Sequence, residues 1–120
     1  MIRFGVIGTN TITEKFIKGA SLHKDFKLTA IYSRTQERGK AFADKYNVKD
    51  VFTELEDMAK RSSVDAVYIA SPNALHSKQA ITLLQNKKHV LCEKAVASNL
   101  KELVETIKTA RENKVLFMEA

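Results

Sequence analysis

The amino-acid sequence predicts a doubly wound α/β domain, in which a mostly parallel sheet of six strands, ordered 3-2-1-4-5-6, carries helices on both faces. Short apolar segments of strand length alternate with longer segments whose apolar residues recur at helical spacing, from one end of the chain to the other. The strand segments are almost continuously apolar, as expected of parallel strands buried on both faces. No linker or repeat interrupts the alternation, so residues 1–120 are predicted to form one domain.

In the first half of the chain, three predicted strands are each followed by a helix. The strands are apolar or β-branched, and the helices show apolar residues spaced three or four positions apart. The predicted strands are residues 2–7, 28–32 and 51–52, and the predicted helices are residues 11–22, 35–46 and 54–61. The side chains expected to face the core are Ile12, Phe16, Ile17 and Ala20 in the first helix and Ala41, Phe42 and Tyr46 in the second.

The second half repeats the same alternation and includes the most regular helical pattern. Strands are predicted at residues 66–69, 89–92 and 115–118, with a helix at residues 73–85 between the first two. Before the last strand, apolar residues follow the i, i+3, i+4, i+7 spacing of an amphipathic helix. The residues of that spacing are Leu100, Leu103, Val104, Ile107 and Ala110.

Composition and charge exclude several classes of protein. Hydrophobic residues make up 44% and charged residues 28% of the chain, as in ordinary globular domains, and no apolar run approaches the roughly 18 residues of a membrane span. The formal net charge is +6, but the lysines are interleaved with acids, so we predict no nucleic-acid partner. The N-terminus does not resemble a signal peptide, and the single cysteine, Cys92, fits a buried thiol in a reducing cytoplasm.

The turn after the first predicted strand resembles a dinucleotide-binding turn. Such turns follow the pattern G-x-G-x-x-G/A, in which glycine permits a tight turn and the amides at the helix start bind the pyrophosphate. Here the pattern is only partly met, because Asn10 and Thr13 replace the second and third glycines. We expect Asn10 to adopt a left-handed backbone, and an ordinary strand–helix junction is the alternative. The candidate binding residues are Gly8, Thr9, Asn10, Thr11 and Ile12.

The end of the second predicted strand favours NADP over NAD. NAD-specific domains place an acid near this position to bind the ribose 2′-hydroxyl, whereas this chain has Ser33, Arg34 and Thr35. Arg34 can pair with a 2′-phosphate and stack on adenine, and the two hydroxyls add hydrogen-bonding groups. The alternative is an arginine at a helix start that binds no ligand.

The ends of the fourth and fifth predicted strands supply further candidates. Ligands of such sheets bind at the carboxyl ends of the strands, and the fourth strand runs there into Ala70, Ser71, Pro72 and Asn73, with His76 one helical turn later. A structural hydrogen-bonding role is the alternative for His76. After the fifth strand come Glu93 and Lys94, and a lysine in such a cleft can bind a substrate hydroxyl or assist proton transfer. An exposed ion pair is the alternative for these two residues.

Taken in order, these segments resemble the Gfo/Idh/MocA family of oxidoreductases, which includes glucose–fructose oxidoreductase, inositol dehydrogenases and dihydrodiol dehydrogenases. The resemblance covers essentially the whole chain. It rests on the segments Gly-Val-Ile-Gly-Thr, Tyr-Ser-Arg, Ser-Pro-Asn-x-x-His, Cys-Glu-Lys and Met-Glu-Ala. The chain departs from the family pattern at Asn10, where a glycine is usual, and at Ala95, where a proline is usual. Because a cis bond before a non-proline residue costs about 2.5–4 kcal/mol, we expect a trans Lys94–Ala95 bond, or a cis bond held by strong surroundings.

The resemblance implies an N-terminal NAD(P)-binding Rossmann domain that precedes an α/β substrate domain, which would lie beyond residue 120. It implies hydride exchange between NADP, with NAD as the alternative, and a sugar, polyol or related alcohol or carbonyl. Lys94 matches the family's catalytic lysine, and Glu93, Asn73 and His76 match cofactor-site positions. The full-length protein is expected to be a homo-oligomer, with no membrane partner and no metal site. The first rival interpretation is a non-catalytic module that senses NAD(P)(H), and the second is a nucleic-acid binder, which only the net charge favours.

Overall fold

The computed structural model describes residues 1–120 and contains a single sheet whose six strands are all parallel. The strand order is β3-β2-β1-β4-β5-β6, so the predicted fold class and strand order are confirmed. The strands are β1 (Ile2–Ile7), β2 (Phe26–Tyr32), β3 (Asp50–Phe52), β4 (Ala66–Ile69), β5 (His89–Cys92) and β6 (Phe117–Glu119). The helices are α1 (Thr11–Ala20), α2 (Gln36–Lys45), α3 (Leu55–Ala59), α4 (His76–Gln85) and α5 (Leu100–Glu112).

Helices cover both faces of the sheet, because neighbouring side chains on each strand point to opposite sides. One core contains Ile17 of α1 and Phe42 of α2, packed on strand residues such as Val6 and Tyr68. The other core joins α3, α4 and α5 to the opposite sides of the same strands. None of the helices combines the length and the apolar character that crossing a bilayer requires.

The strand register brings the carboxyl ends of the central strands to one level. Ile7, the last residue of β1, pairs with Tyr32 of β2 and with Ile69 of β4, and Ile69 pairs with Cys92 of β5. The turns that follow these four strands therefore leave the sheet at a common edge. This edge is where ligands of open α/β sheets bind.

Three local predictions differ from the structure. A short 3₁₀ turn, Asn73–Leu75, precedes α4, so this helix begins at His76 rather than at residue 73. β6 begins at Phe117 instead of residue 115, because the amide of Val115 still bonds to the carbonyl of Ala110 at the end of α5. The side chain of Ile12, which was expected in the core, is exposed in the first turn of α1.

The amphipathic helix predicted from the apolar spacing is α5, but most of its apolar stripe faces outward. The helix packs on α4 mainly through Thr106, Thr109 and Ala110, and the hydroxyls of Ser77 and Thr106 lie 3.1 Å apart. Small and hydroxyl-bearing residues thus form the close helix–helix contact. The exposed side chains are Leu100 (73%), Val104 (56%) and Ile107 (38%), and we call these three the α5 flank.

Candidate functional site

A pocket of about 610 Å³ lies at the carboxyl edge of the sheet, between the turns that follow β1, β2 and β4. Its remaining wall is one face of α2. Ala41 of α2 lines this pocket and is exposed, which explains why its prediction as a core residue was wrong. The pocket brings together the predicted residues Gly8, Thr9, Asn10, Ser33, Arg34, Ala70, Ser71 and Pro72.

Gly8 forms the tight turn between β1 and α1. Its φ of +109° lies in a region that residues with side chains rarely adopt. A Cβ atom at this position would lie 2.8 Å from the carbonyl oxygen of Ala70 and 3.1 Å from its carbonyl carbon. Because both are backbone atoms, they cannot move aside as a flexible side chain would. The turn therefore requires glycine.

Asn10 has an extended backbone, with φ −101° and ψ 179°, so the expectation of a left-handed conformation was wrong. The physical reason is that Asn10 is the N-cap of α1, a position that favours the β region. Its Oδ1 accepts hydrogen bonds from the amide and the hydroxyl of Thr13, both at 3.1 Å. Its Nδ2 donates to the carbonyl of Ala70 at 2.9 Å, which ties the β1–α1 turn to the end of β4.

The start of α1 offers free hydrogen-bond donors beside this turn. The amides of Thr11 and Ile12 have no acceptor within the chain, while the amide of Thr13 is capped by Asn10. Free amides and the positive end of the helix dipole favour a bound anion at such a position. Thr13, which replaces the third glycine of the pattern, is completely buried beneath the turn.

We expect Asn10→Ala to weaken both folding and dinucleotide binding. The change removes the cap of α1 and the link to Ala70, and a lost cap costs roughly 1 kcal/mol. Asn99→Ala is the matched control, because Asn99 caps α5 through the amide of Glu102 at 2.9 Å and does not line the pocket. Chemical denaturation and calorimetric titration would measure both effects. Equal losses of dinucleotide affinity in the two variants would contradict the assigned role of Asn10.

Three cationic side chains line the same pocket, and its lining contains no Asp or Glu. Arg34 follows β2, and Arg38 and Lys45 lie on α2. Arg34 and Arg38 form no ion pair within the chain, whereas Lys45 Nζ lies 3.2 Å from Glu14 Oε1. The arrangement leaves two unpaired guanidinium groups for an anionic ligand.

Sequence reasoning identified Arg34 but missed Arg38 and Lys45. Their spacing could have identified them, since positions seven apart on a helix lie on the same face. Thr35, a predicted binding residue, accepts a hydrogen bond from the amide of Arg38 as the N-cap of α2. Its hydroxyl thus positions the first turn of the helix that carries Arg38.

Lys94 lies outside this pocket, beside a second cavity of about 420 Å³ that Ala95, Leu103 and Glu119 also line. Its side chain is exposed and forms no ion pair, so the interpretation of Glu93 and Lys94 as an ion pair was wrong. The Lys94–Ala95 bond is cis, so the expectation of a trans bond was also wrong. That expectation considered only the cost of a cis bond before a non-proline residue.

Glu93 is oriented by a buried tyrosine. The hydroxyl of Tyr68 donates to Glu93 Oε2 at 2.6 Å, and the ring of Tyr68 stacks on Phe16 with centroids 4.0 Å apart. Burial, and then the adjacent carboxylate, raise the pKa of Tyr68 well above its usual value, so the hydroxyl stays a donor.

Burial likewise raises the pKa of the Cys92 thiol to about 12. Cys92 is therefore a protonated, inert core residue, as its interpretation as a buried thiol requires.

His76 and Asn73 do not line the pocket, although both were predicted as cofactor residues. The side chain of Asn73 is exposed on the short turn before α4. The imidazole of His76 is only 1% exposed and both of its nitrogens contact backbone carbonyls. The placement of this ring agrees with the alternative interpretation of His76 as a structural hydrogen-bonding residue, and the assignment of His76 and Asn73 to a cofactor site stays a prediction.

Comparison with protein families gives one match over nearly the whole chain. The model of the Gfo/Idh/MocA family, described as an oxidoreductase family with an NAD-binding Rossmann fold, matches residues 2–120. The chain is 53% identical over 120 residues to the scyllo-inositol 2-dehydrogenase (NADP(+)) IolU of Bacillus subtilis strain 168. It is 34% identical over 117 residues to the 1,5-anhydro-D-fructose reductase of Ensifer adhaerens, of which it covers 35%.

Solved structures share the same fold. The 3-ketoreductase KijD10 from Actinomadura kijaniata, in complex with TDP-benzene and NADP, superposes with a TM-score of 0.91 at 32% sequence identity. The match covers 98% of this chain and 37% of KijD10. The match to the Bacillus dehydrogenase likewise includes the whole of this chain but only 37% of the length of that protein.

Proposed function

The chain belongs to the Gfo/Idh/MocA family of oxidoreductases, and we propose that it provides the cofactor-binding part of an enzyme that transfers hydride between NADP(H) and a sugar, polyol or related alcohol or carbonyl. The adenosine and pyrophosphate groups would occupy the 610 Å³ pocket. The nicotinamide would extend from there toward Lys94, which would bind the reacting oxygen and assist its protonation or deprotonation.

The charge of the pocket is the observation that carries this proposal. A 2′-phosphate distinguishes NADP from NAD, and the pocket offers Arg34 and Arg38 without a carboxylate to bind a free 2′-hydroxyl. Guanidinium groups match the geometry of phosphate and bind it with charge-assisted hydrogen bonds. The NADP-dependent Bacillus relative and the NADP complex of KijD10 support the same choice.

We expect wild-type protein to bind NADPH more tightly than NADH and Arg34→Ala to lose most of that preference. A charge-assisted contact to the 2′-phosphate contributes about 1.5–3 kcal/mol, which corresponds to roughly ten- to a hundred-fold in affinity. Calorimetric titration with both cofactors would measure the preference. The matched control is Arg111→Ala, which removes the same charge from the exposed surface of α5. Equal affinities of the wild-type protein for the two cofactors would refute the proposal.

A second domain is part of the proposal, since the chain spans little more than a third of the relatives it matches. We propose that a further segment of the protein packs against the α5 flank. Leu116 and Met118, beside and within the edge strand β6, are also 62% and 57% exposed, so apolar side chains mark this edge of the sheet as well. Leu100 of the α5 flank borders the cavity at Lys94, so a domain docked there would adjoin the proposed catalytic lysine. We place the full-length protein in the cytoplasm as a homo-oligomer.

We expect Val104→Lys to lower the unfolding free energy of the full-length protein by about 1–3 kcal/mol, because it would bury an unpaired charge between domains. In residues 1–120 alone the change should be nearly neutral, since Val104 is already exposed. Glu105→Lys is the control on the adjacent, solvent-facing side of α5. An unchanged unfolding free energy for Val104→Lys in the full-length protein would contradict the docking proposal.

Residues 1–120 alone should bind NADPH without oxidising any polyol.

A further inference from the structure

His76 connects two loops that carry different parts of the proposed site. Its Nδ1 lies 2.8 Å from the carbonyl oxygen of Ala95, and its Nε2 lies 2.6 Å from the carbonyl oxygen of Ser71. Carbonyl oxygens only accept hydrogen bonds, so the ring donates to both carbonyls when both of its nitrogens carry hydrogen, whereas a neutral ring donates to one carbonyl and lies in contact with the other. Ser71 belongs to the turn after β4, and Ala95 belongs to the loop after β5.

The loop after β5 has almost no other attachment. Residues 94–97 form no hydrogen bond with the rest of the chain except the one from His76 to Ala95. The hydrogen bonds nearest to them are those of the amides of Glu93, to Ile69, and of Ser98, to the side chain of Glu102. Apart from the packing of Val96 against the core, the position of this loop over the sheet therefore depends on a single side chain.

The other loop is part of the pocket wall. Ser71 and Pro72 line the 610 Å³ pocket, whereas Lys94 and Ala95 line the 420 Å³ cavity. No backbone hydrogen bond joins residues 70–75 to residues 94–97. The imidazole of His76 thus connects the wall of the proposed dinucleotide pocket to the loop that carries Lys94, the proposed catalytic residue.

We propose that His76 is a positioning residue, which holds the Lys94 loop against the rim of the dinucleotide pocket so that Lys94 faces the reacting end of the cofactor. The role assigned to Lys94 in this inference rests on the proposed function. His76 does not touch cofactor or substrate. Its burial at 1% exposure keeps water from competing for either carbonyl, so the contacts of the ring with both loops persist and the loop stays ordered.

Two amide substitutions separate the two hydrogen bonds. The side-chain amide of Asn reaches about as far as Nδ1 of histidine, and that of Gln reaches about as far as Nε2. His76→Asn therefore retains a donor toward Ala95, and His76→Gln retains a donor toward Ser71. Ser77→Ala is the matched control, because it removes a buried hydroxyl contact of the same helix, to Thr106, without affecting either loop.

The first measurement is the backbone order parameter of residues 94–97 by ¹⁵N relaxation in the purified protein. We expect values near 0.85 in wild type and Ser77→Ala, and values below about 0.6 in His76→Gln, with His76→Asn close to wild type. The second measurement is steady-state turnover with NADPH. His76→Gln should lower kcat at least about tenfold, since small misplacements of catalytic groups are costly, while the KM for NADPH changes less than about twofold.

An ordered loop and an unchanged kcat in His76→Gln would overturn the proposal, as would equal loosening of the loop in Ser77→Ala. If His76→Gln does not fold, the comparison of His76→Asn with Ser77→Ala still decides it, because an Asn variant with a disordered loop would refute the assigned hydrogen bond to Ala95. The order parameters are independent of the proposed function. If the wild-type protein does not bind NADPH, the proposed function is refuted. The positioning role of His76 is then judged from the order parameters of residues 94–97 alone.

Discussion

Lys94→Ala is expected to lower kcat of the full-length enzyme by about 10²- to 10⁴-fold, the usual contribution of a positioned acid or base. Lys94 is exposed at the carboxyl end of β5, has no ion-pair partner and adjoins the cavity next to the α5 flank. No other lysine lines this cavity, so loss of its ammonium group would remove the proposed donor to the reacting oxygen. The dinucleotide pocket is separate, and NADPH affinity should therefore change less than about threefold.

The measurement combines steady-state kinetics with calorimetric titration of NADPH. Lys101→Ala, on the exposed surface of the neighbouring helix α5, is the control for loss of one positive charge. It should leave both kcat and NADPH affinity unchanged. A Lys94→Ala enzyme with wild-type kcat would remove Lys94 from the mechanism, whereas a large loss of NADPH affinity at normal kcat would assign the lysine to cofactor binding.

Gly8→Ala is expected to cause the largest loss of stability and of NADPH affinity among single substitutions in the pocket. The φ of +109° imposes backbone strain on any residue with a side chain, and the new Cβ would lie 2.8 Å from the Ala70 carbonyl oxygen. Strain and overpacking together cost about 2–5 kcal/mol. Relief of the contact requires the β1–α1 turn to move away from the end of β4, which also displaces the free amides at the start of α1.

Gly19→Ala is the matched control for this substitution. Gly19 lies in the last turn of α1 with no atom within 4 Å of the added Cβ, and alanine is the better helix former. This variant should gain up to about 1 kcal/mol of unfolding free energy and keep NADPH affinity. Chemical denaturation with and without NADPH would measure both variants. A Gly8→Ala protein as stable as wild type would show that the turn tolerates a side chain.

Asn10 and Ala95, the two residues that depart from the family pattern, illustrate how reasoning from the local sequence fails. Asn10 was interpreted as a tolerated replacement of glycine, whereas its amide caps α1 and also bonds to Ala70, 60 positions away in the sequence. Ala95 was considered only for the peptide bond that precedes it, whereas its carbonyl oxygen contacts the ring of His76, 19 positions away. In both cases the partner is distant in the chain, so no pattern around the residue indicates it.

The strand order was predicted from the resemblance to Rossmann domains. Periodicity and residue type were sufficient for the alternating strands and helices, the glycine turn after β1 and the arginine after β2. These features follow from interactions between near neighbours: apolar spacing, the conformational freedom of Gly8 and the charge of Arg34. The outward-facing α5 flank, the shared face of Arg38 and Lys45, and the tether from His76 became visible only in the folded chain. They depend on which surfaces pack together. An amphipathic pattern indicates that a helix has an apolar face but not what that face packs against. The contacts of a buried histidine likewise depend on which carbonyl groups lie next to it in the folded chain.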